Sequence, residues 1–127
     1  MCNNPKFFIC EICQNLAGLI EDHGAPLVCC GTEMTELIPN TVEASAEKHL
    51  PAVTVSGDTL IVNIGSTPHP MESAHYISFV YVETASGGQR KCLKIGSAPT
   101  CTFSFIEDKP IAVYAYCNLH GMWKTEL

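Results

Sequence analysis

Residues 115–123 read A-Y-C-N-L-H-G-M-W, with Cys117 and His120 three residues apart at the end of an apolar run. A thiolate and an imidazole at that spacing can reach one metal ion. Two ligands do not make a site, so the rest of the chain must supply others. His49 sits in E-K-H-L-P, His69 in P-H-P, and His75 follows six residues later. A lone loop histidine is more often an exposed polar group. Four of the five histidines in such settings are harder to dismiss, and we group His49, His69, His75 and His120 with Cys117. His23, in the acidic turn-like stretch E-D-H-G-A, is assigned to the surface.

A second constellation lies in residues 1–38. Cys10-Glu-Ile-Cys13 offers two thiolates from one tight turn, and the adjacent pair Cys29-Cys30, followed by Gly31, offers two more. Four thiolates suit a tetrahedral site for iron or zinc. A closed zinc knuckle that only holds a fold is the plainer alternative. Leu16 to Ile20 and Leu27-Val28 are too few for a self-sufficient core, so metal binding carries much of the folding of this module. Neighbouring residues of an extended chain point to opposite sides. Cys29 and Cys30 therefore need a bent backbone to face one ion.

The elements that position the histidines read as strands from about residue 50 onward. Ala52–Val55 and Leu60–Ile64 flank the hairpin signal Ser56-Gly57-Asp58. Tyr76–Thr84 is β-branched and aromatic, Ser86-Gly87-Gly88 turns the chain into Arg90–Ile95, and Thr100–Ile106 alternates. Val113–Cys117 reads as the last strand. Six or seven short strands without a long helix indicate an antiparallel sandwich or barrel. The histidines then lie at strand ends, where one end of a sandwich gathers them. Residues 39–48 read as a linker and loop, with a short helical turn within Val42 to Glu47.

Composition fits this picture. The chain has 127 residues, 46% of them hydrophobic, 16% charged, with net charge −6. Seven basic residues without a patch or an aromatic-basic motif argue against nucleic acid. No apolar run approaches the roughly 20 residues that span a bilayer. The start, M-C-N-N-P-K-F-F, lacks signal-peptide character, which suggests a cytoplasmic protein. Eight cysteines in a reducing compartment favour metal thiolates over disulfides. Cys101 reads as core, Cys92 as core or partly exposed, and Cys2 as terminal.

Three blocks carry a resemblance. Glu47-Lys48-His49-x-Pro51, then Pro68-His69-Pro70-Met71 with His75 after it, then Cys117-Asn118-Leu119-His120-Gly121 resemble the signature blocks of superoxide reductase. The N-terminal module resembles desulforedoxin, although that family has Gly where this chain has Gln14. Nearly the whole chain thus resembles desulfoferrodoxin, the two-iron form. The resemblance implies a small iron module in residues 1–38, a linker and catalytic loop in 39–48, and a seven-stranded immunoglobulin-like β-sandwich in 49–127. It implies an Fe(Cys)4 site on Cys10, Cys13, Cys29 and Cys30, which zinc can take in recombinant material. It also implies a catalytic iron with four equatorial histidines, His49, His69, His75 and His120, and axial Cys117.

The implied reaction is one-electron reduction of superoxide to hydrogen peroxide, detoxifying superoxide in an anaerobe or microaerophile. An external donor such as rubredoxin restores the iron, and the protein is a homodimer. Lys48, a cation beside a ligand in a chain of net charge −6, is expected to attract superoxide and orient a proton-giving water. Glu47 is expected as a sixth ligand of the ferric state. A non-catalytic iron electron-transfer protein is the main alternative. An oxygen-activating iron enzyme ranks last, because such sites use two histidines and one carboxylate.

Overall fold

The computed structural model describes residues 2 and 4–127; Met1 and Asn3, within the expected 1–38 module, lie outside the described residues. The chain divides into two compact units, one ending at Ile38 and the other spanning Pro39–Leu127.

The first unit has five short strands, β1 (Lys6–Ile9), β2 (Leu16–Leu19), β3 (Val28–Cys29), β4 (Thr32–Glu33) and β5 (Thr35–Glu36). β1 pairs antiparallel with β2 on one side and β5 on the other, while β3 and β4 form a separate hairpin. Only Phe7, Ile9 and Cys10 are buried among its described residues. Three side chains do not make a core for such a unit, so its order depends on what the cysteines hold.

The second unit begins with α1 (Ala46–His49) and continues through β6 (Pro51–Ser56), β7 (Thr59–Ile64), β8 (Ile77–Thr84), β9 (Gly87–Cys92), β10 (Thr100–Ser104), β11 (Pro110–Cys117) and β12 (Gly121–Glu126). Three strands in the order β10-β7-β6 form one sheet and four in the order β12-β11-β8-β9 form the other. All pairings are antiparallel, giving a seven-stranded sandwich. Leu60, Val62, Ile64 and Phe103 from one sheet meet Ile77, Val80, Val82, Val113, Ala115 and Cys117 from the other. Alternation puts these residues inward, and their burial drives the two sheets together.

The sheet edges are tied across the sandwich by side chains. Gln89 Nε2 donates to Ser104 O at 3.0 Å, Lys91 Nζ donates to Thr102 O, and Thr125 Oγ1 donates to Pro51 O at 2.7 Å. Carbonyls left open at strand edges are thereby satisfied. A register shift between Tyr116 and Cys117 pairs Cys117 with Ile77, skipping Ser78. This bulge keeps Ile77, not a serine, beside Cys117 on the core face.

Several sequence expectations shift. The hairpin into β9 turns at Ala85-Ser86, and the strand starts at Gly87 and ends at Cys92, not at Arg90–Ile95. Gly88 packs against Tyr81, where any Cβ would collide with the Tyr81 hydroxyl. β10 stops at Ser104, because Phe105 N donates to Asp58 O and Ile106 is exposed. β12 follows the strand expected to be last; its polar end, Lys124, Thr125 and Glu126, masks a buried Met122-Trp123 pair. The helical turn forms at Ala46–His49, later than expected. Asn40, in the expected linker, is fixed on β12, exchanging bonds with Lys124 O at 3.1 Å and Lys124 N at 2.9 Å.

Candidate metal centres

The first centre is built on two turns. After β1 the chain folds tightly, with Gln14 N donating to Cys10 O and Cys10 N to Asn15 O, both at 2.8 Å. This aims the Cys13 amide at Cys10 Sγ, at 3.5 Å, and the Asn15 amide at Cys13 Sγ, at 3.4 Å. Gln14 takes φ 67, a left-handed conformation that suits glycine. The glycine expected from the resemblance is thus replaced without loss of the turn. The β3–β4 hairpin has Cys30-Gly31 as its two-residue loop, at φ 54 and φ 73. Two positive φ values in a two-residue hairpin are the type I′ geometry. That bend turns Cys29 and Cys30 toward one point.

All four thiol sulfurs lie within 4.8 Å of one another. Metal–sulfur bonds of about 2.3 Å set tetrahedral S···S edges of about 3.8 Å. The observed separations are 3.6 Å for Cys13 to Cys29 and 4.0 Å for Cys29 to Cys30. The Cys13 amide lowers the Cys10 thiol to about 6. Its neighbours Cys13 and Cys10 raise Cys29, and raise Cys30 to about 12. Four thiols so close cannot all ionise without a cation among them, so the cluster fits a metal.

The second centre lies at one end of the sandwich. α1 brings His49, the connection between β7 and β8 brings His69 and His75, the end of β11 brings Cys117, and the turn into β12 brings His120. The rings form a square. Neighbouring centroids are 4.6 Å apart for His49–His69, 4.5 Å for His69–His75, 5.0 Å for His75–His120 and 4.8 Å for His120–His49. His49 and His75 face each other across 6.3 Å. His49, His69 and Cys117 are buried, while His75 and His120 are partly exposed.

The hydrogen bonds fix which nitrogens point inward. His49 Nδ1 donates to Ser45 O and His69 Nδ1 to Pro70 O, both at 2.7 Å. Each Nε2 then carries a lone pair, and these two atoms face each other at 3.2 Å. His120 Nδ1 is 3.0 Å from His49 Nε2. Metal–nitrogen bonds of about 2.1 Å at right angles give edges of about 3.0 Å. His75 Nε2 is buried without a hydrogen-bond partner. The facing Nε2 lone pairs of His49 and His69, beside an orphaned buried nitrogen, fit a cation. Burial pushes His69 down from 6.5 to about 4 and also lowers His49 and His75, which keeps these imidazoles neutral.

Cys117 Sγ lies 3.7 Å from His120 Nδ1 and within 4.8 Å of the ligand nitrogens of His49, His69 and His75. Burial raises its thiol, against the amides of Leu119 and His120 that turn toward the sulfur. A metal bound through Cys117 at neutral pH would therefore expel its proton, while His49, His69 and His75 are already neutral. Below the thiol pKa, iron affinity at this centre is expected to rise about tenfold per pH unit between pH 7 and 8. Competition titrations with a chelator check this slope; a flat profile would show that Cys117 is not a ligand.

Lys48 and Glu47 sit on α1 beside His49, and both are exposed. The Lys48 charge is among the causes that depress His49 and His75. Glu47 Oε1 accepts from Thr67 Oγ1 at 2.9 Å, and Glu47 O accepts from Thr67 N at 3.0 Å and Ser66 Oγ at 3.2 Å. The carboxylate is thus held on Thr67 and stands outside the ligand group. His23 is exposed, 3.6 Å from Glu21. Cys101 is half-buried against the core and its thiol is raised to about 11 by burial, whereas Cys92 and Cys2 are exposed.

Three contributors support the site, and two of them, Gly65 and the Asn118 side chain, were not read from the sequence. Trp123 stacks on His49 at 4.9 Å and donates from Nε1 to His120 O at 3.1 Å. Gly65, at φ +81, lies so close to Lys48 O and Thr67 O that no side chain fits. Asn118 binds the backbone on both sides of His75. The signal for Gly65 was a glycine directly after a strand; nothing in one sequence distinguished the side chain of Asn118.

Known proteins are similar to this chain in sequence and in fold. A family model described as Desulfoferrodoxin matches residues 41–126. The chain is 37% identical over 126 residues to the desulfoferrodoxin of Syntrophotalea carbinolica, covering 99% of each. The crystal structure of the superoxide reductase from Treponema pallidum matches with a TM-score of 0.83 at 34% identity, over 98% of this chain and 100% of that one. The superoxide reductase (1Fe-SOR) from Giardia intestinalis matches at 30% identity and a TM-score of 0.54, over 64% of this chain and 99% of that one. The sandwich, the four-cysteine cluster and the histidine square over a buried cysteine agree with these likenesses, and the chain belongs to the desulfoferrodoxin family.

Proposed function

We propose that this chain is a superoxide reductase that adds one electron and two protons to superoxide and releases hydrogen peroxide. The observation that carries this reading is the convergence of four imidazoles beside the buried Cys117 sulfur. We assign His49, His69, His75, His120 and Cys117 as ligands of the catalytic iron, and Cys10, Cys13, Cys29 and Cys30 as ligands of a second iron. When bound, the catalytic iron supplies the electron and a coordination position for the anion.

The chain's own residues do the rest. Carbonyls of Ser45 and Pro70 hold two imidazoles in the tautomer that binds metal. Lys48 places a positive charge beside the square in a chain of net charge −6, drawing an anionic substrate and orienting water that gives protons. Glu47, held by Thr67 Oγ1 at 2.9 Å, would have to release that bond to serve as a further ligand of ferric iron. Residues 1–38 are assigned as the iron module, 39–48 as linker and catalytic loop, and 49–127 as the catalytic domain. The partly exposed edges of His75 and His120 suit electron entry from a small donor such as rubredoxin. Among the described residues no helix is long and apolar enough to cross a membrane. We assign the protein to the cytoplasm as a homodimer, on the family resemblance.

A pulse of superoxide given to the reduced protein tests the reaction. One peroxide per superoxide establishes reduction, whereas one per two would mean dismutation and overturn the reading. Lys48→Ala is expected to keep both irons but slow the second-order reaction with superoxide several-fold and flatten its dependence on salt. An unchanged rate would remove Lys48 from the mechanism.

A further inference from the structure

The four imidazoles are not held alike. His49 and His69 each anchor Nδ1 on a carbonyl at 2.7 Å. The His75 ring makes no hydrogen bond among the described residues, and its Nε2 is a buried atom without a partner. It is also partly exposed, in a loop whose local support is the Glu72–His75 bridge. Something else must set its place.

Asn118 does this from the strand end that carries Cys117. Its Oδ1 accepts from Tyr76 N at 2.8 Å, and its Nδ2 donates to Ala74 O at 3.0 Å. Its own amide donates to Tyr76 O at 3.1 Å. One side chain thus grips the backbone immediately before and after His75. Both amide ends are used, so neither a shorter side chain nor a carboxylate reproduces the grip. We propose that Asn118 is a positioning residue that locks His75 to the Cys117 strand end and so fixes the geometry between these two ligands. This rests on the assignment of His75 and Cys117 as ligands of the same iron.

A ligand imidazole without its own ring anchor relies on this grip for its angle and its residence on the metal. Losing the grip acts through His75, whereas a general defect of the β11–β12 turn acts independently of it. A double-mutant cycle separates the two.

The experiment compares Asn118→Ala, His75→Ala and the double variant, all iron-loaded. The readouts are iron release to a ferrous chelator and the position of the thiolate charge-transfer band, with the four-cysteine absorption as a check on folding. Asn118→Ala is expected to lower catalytic-iron affinity about 10- to 100-fold and shift the band. The double variant is expected to release iron no faster than His75→Ala. Asn118→Asp keeps the acceptor for Tyr76 N and loses the donor to Ala74 O, so it is expected to fall between; it decides the matter should the alanine variant not fold. Additive effects, or unchanged release and band, would overturn the role of Asn118. An inert His75→Ala would instead overturn the ligand assignment beneath it.

Discussion

Cys117→Ser is expected to remove the sulfur charge-transfer absorption of the catalytic centre and more than about 100-fold of its superoxide reduction, since even groups behind metal ligands are worth 10–100-fold. The four-cysteine absorption is expected to persist, because Cys10, Cys13, Cys29 and Cys30 belong to a different compact unit. A serine hydroxyl at this position has a second effect. Cys117 is fully buried and belongs to the hydrophobic core beside Ile77 and Ala115. The Leu119 and His120 amides that turn toward the sulfur can donate to a hydroxyl there, so its burial costs about 1 kcal/mol, less than a fully unpaired group would. Cys117→Ala removes the sulfur without adding a polar group, and separates lost ligation from lost stability. Both variants should lose the band and the activity, and only serine should show the extra fall in thermal stability. Full activity in the alanine variant would refute ligation by this cysteine.

Gly65→Ala is the second large effect, at a residue that touches no metal. Its φ of +81 lies in the left-handed region, and an added Cβ would press on Thr67 O and sit 2.6 Å from Lys48 O. Both obstacles are backbone, so the connection between β7 and β8 must part from α1. Gly65 N also donates to Leu50 O at 3.1 Å, and Thr67 N to Glu47 O at 3.0 Å. The same displacement therefore moves Glu47, Lys48 and His49 together. We expect a loss of at least about 2 kcal/mol from the left-handed conformation and the clash. For a unit of this size that lowers the melting midpoint by roughly 8–16 °C. Catalytic-iron affinity is expected to fall as well. Gly57→Ala is the control: φ is +59, but nothing lies within 4 Å of its Cβ position. It should cost about 1 kcal/mol and leave iron affinity unchanged. Equal iron retention in the two variants would show that Gly65 does not hold the catalytic loop.

The ligand types were legible in the sequence because metal chemistry permits few of them. Cysteine pairs and histidines at strand ends stand out by identity alone. The central strands were legible for a similar reason: β8 and β11 are runs of β-branched and aromatic residues. β12 was not, since its polar half resembles a tail and only pairing with β11 shows Met122 and Trp123 to be buried strand residues. The start of β9 was missed because Gly87 and Gly88 resemble a turn, although Gly88 is a strand residue chosen for its contact with Tyr81. The adjacent cysteines posed a geometric question that the type I′ turn at Cys30-Gly31 answers. The holding of ligands was the least legible part. Carbonyls of Ser45 and Pro70, the grip of Asn118 and the stack of Trp123 depend on which segments meet, and meeting is a property of the fold.

The most direct test follows both metal absorptions in one sample while a fully reduced protein meets a pulse of superoxide. The Cys117 charge-transfer band is predicted to appear in step with superoxide loss, one centre oxidised per superoxide consumed, before the four-cysteine absorption changes. Oxidation of the four-cysteine centre first, with no band from Cys117, would contradict the placement of the chemistry at the histidine square.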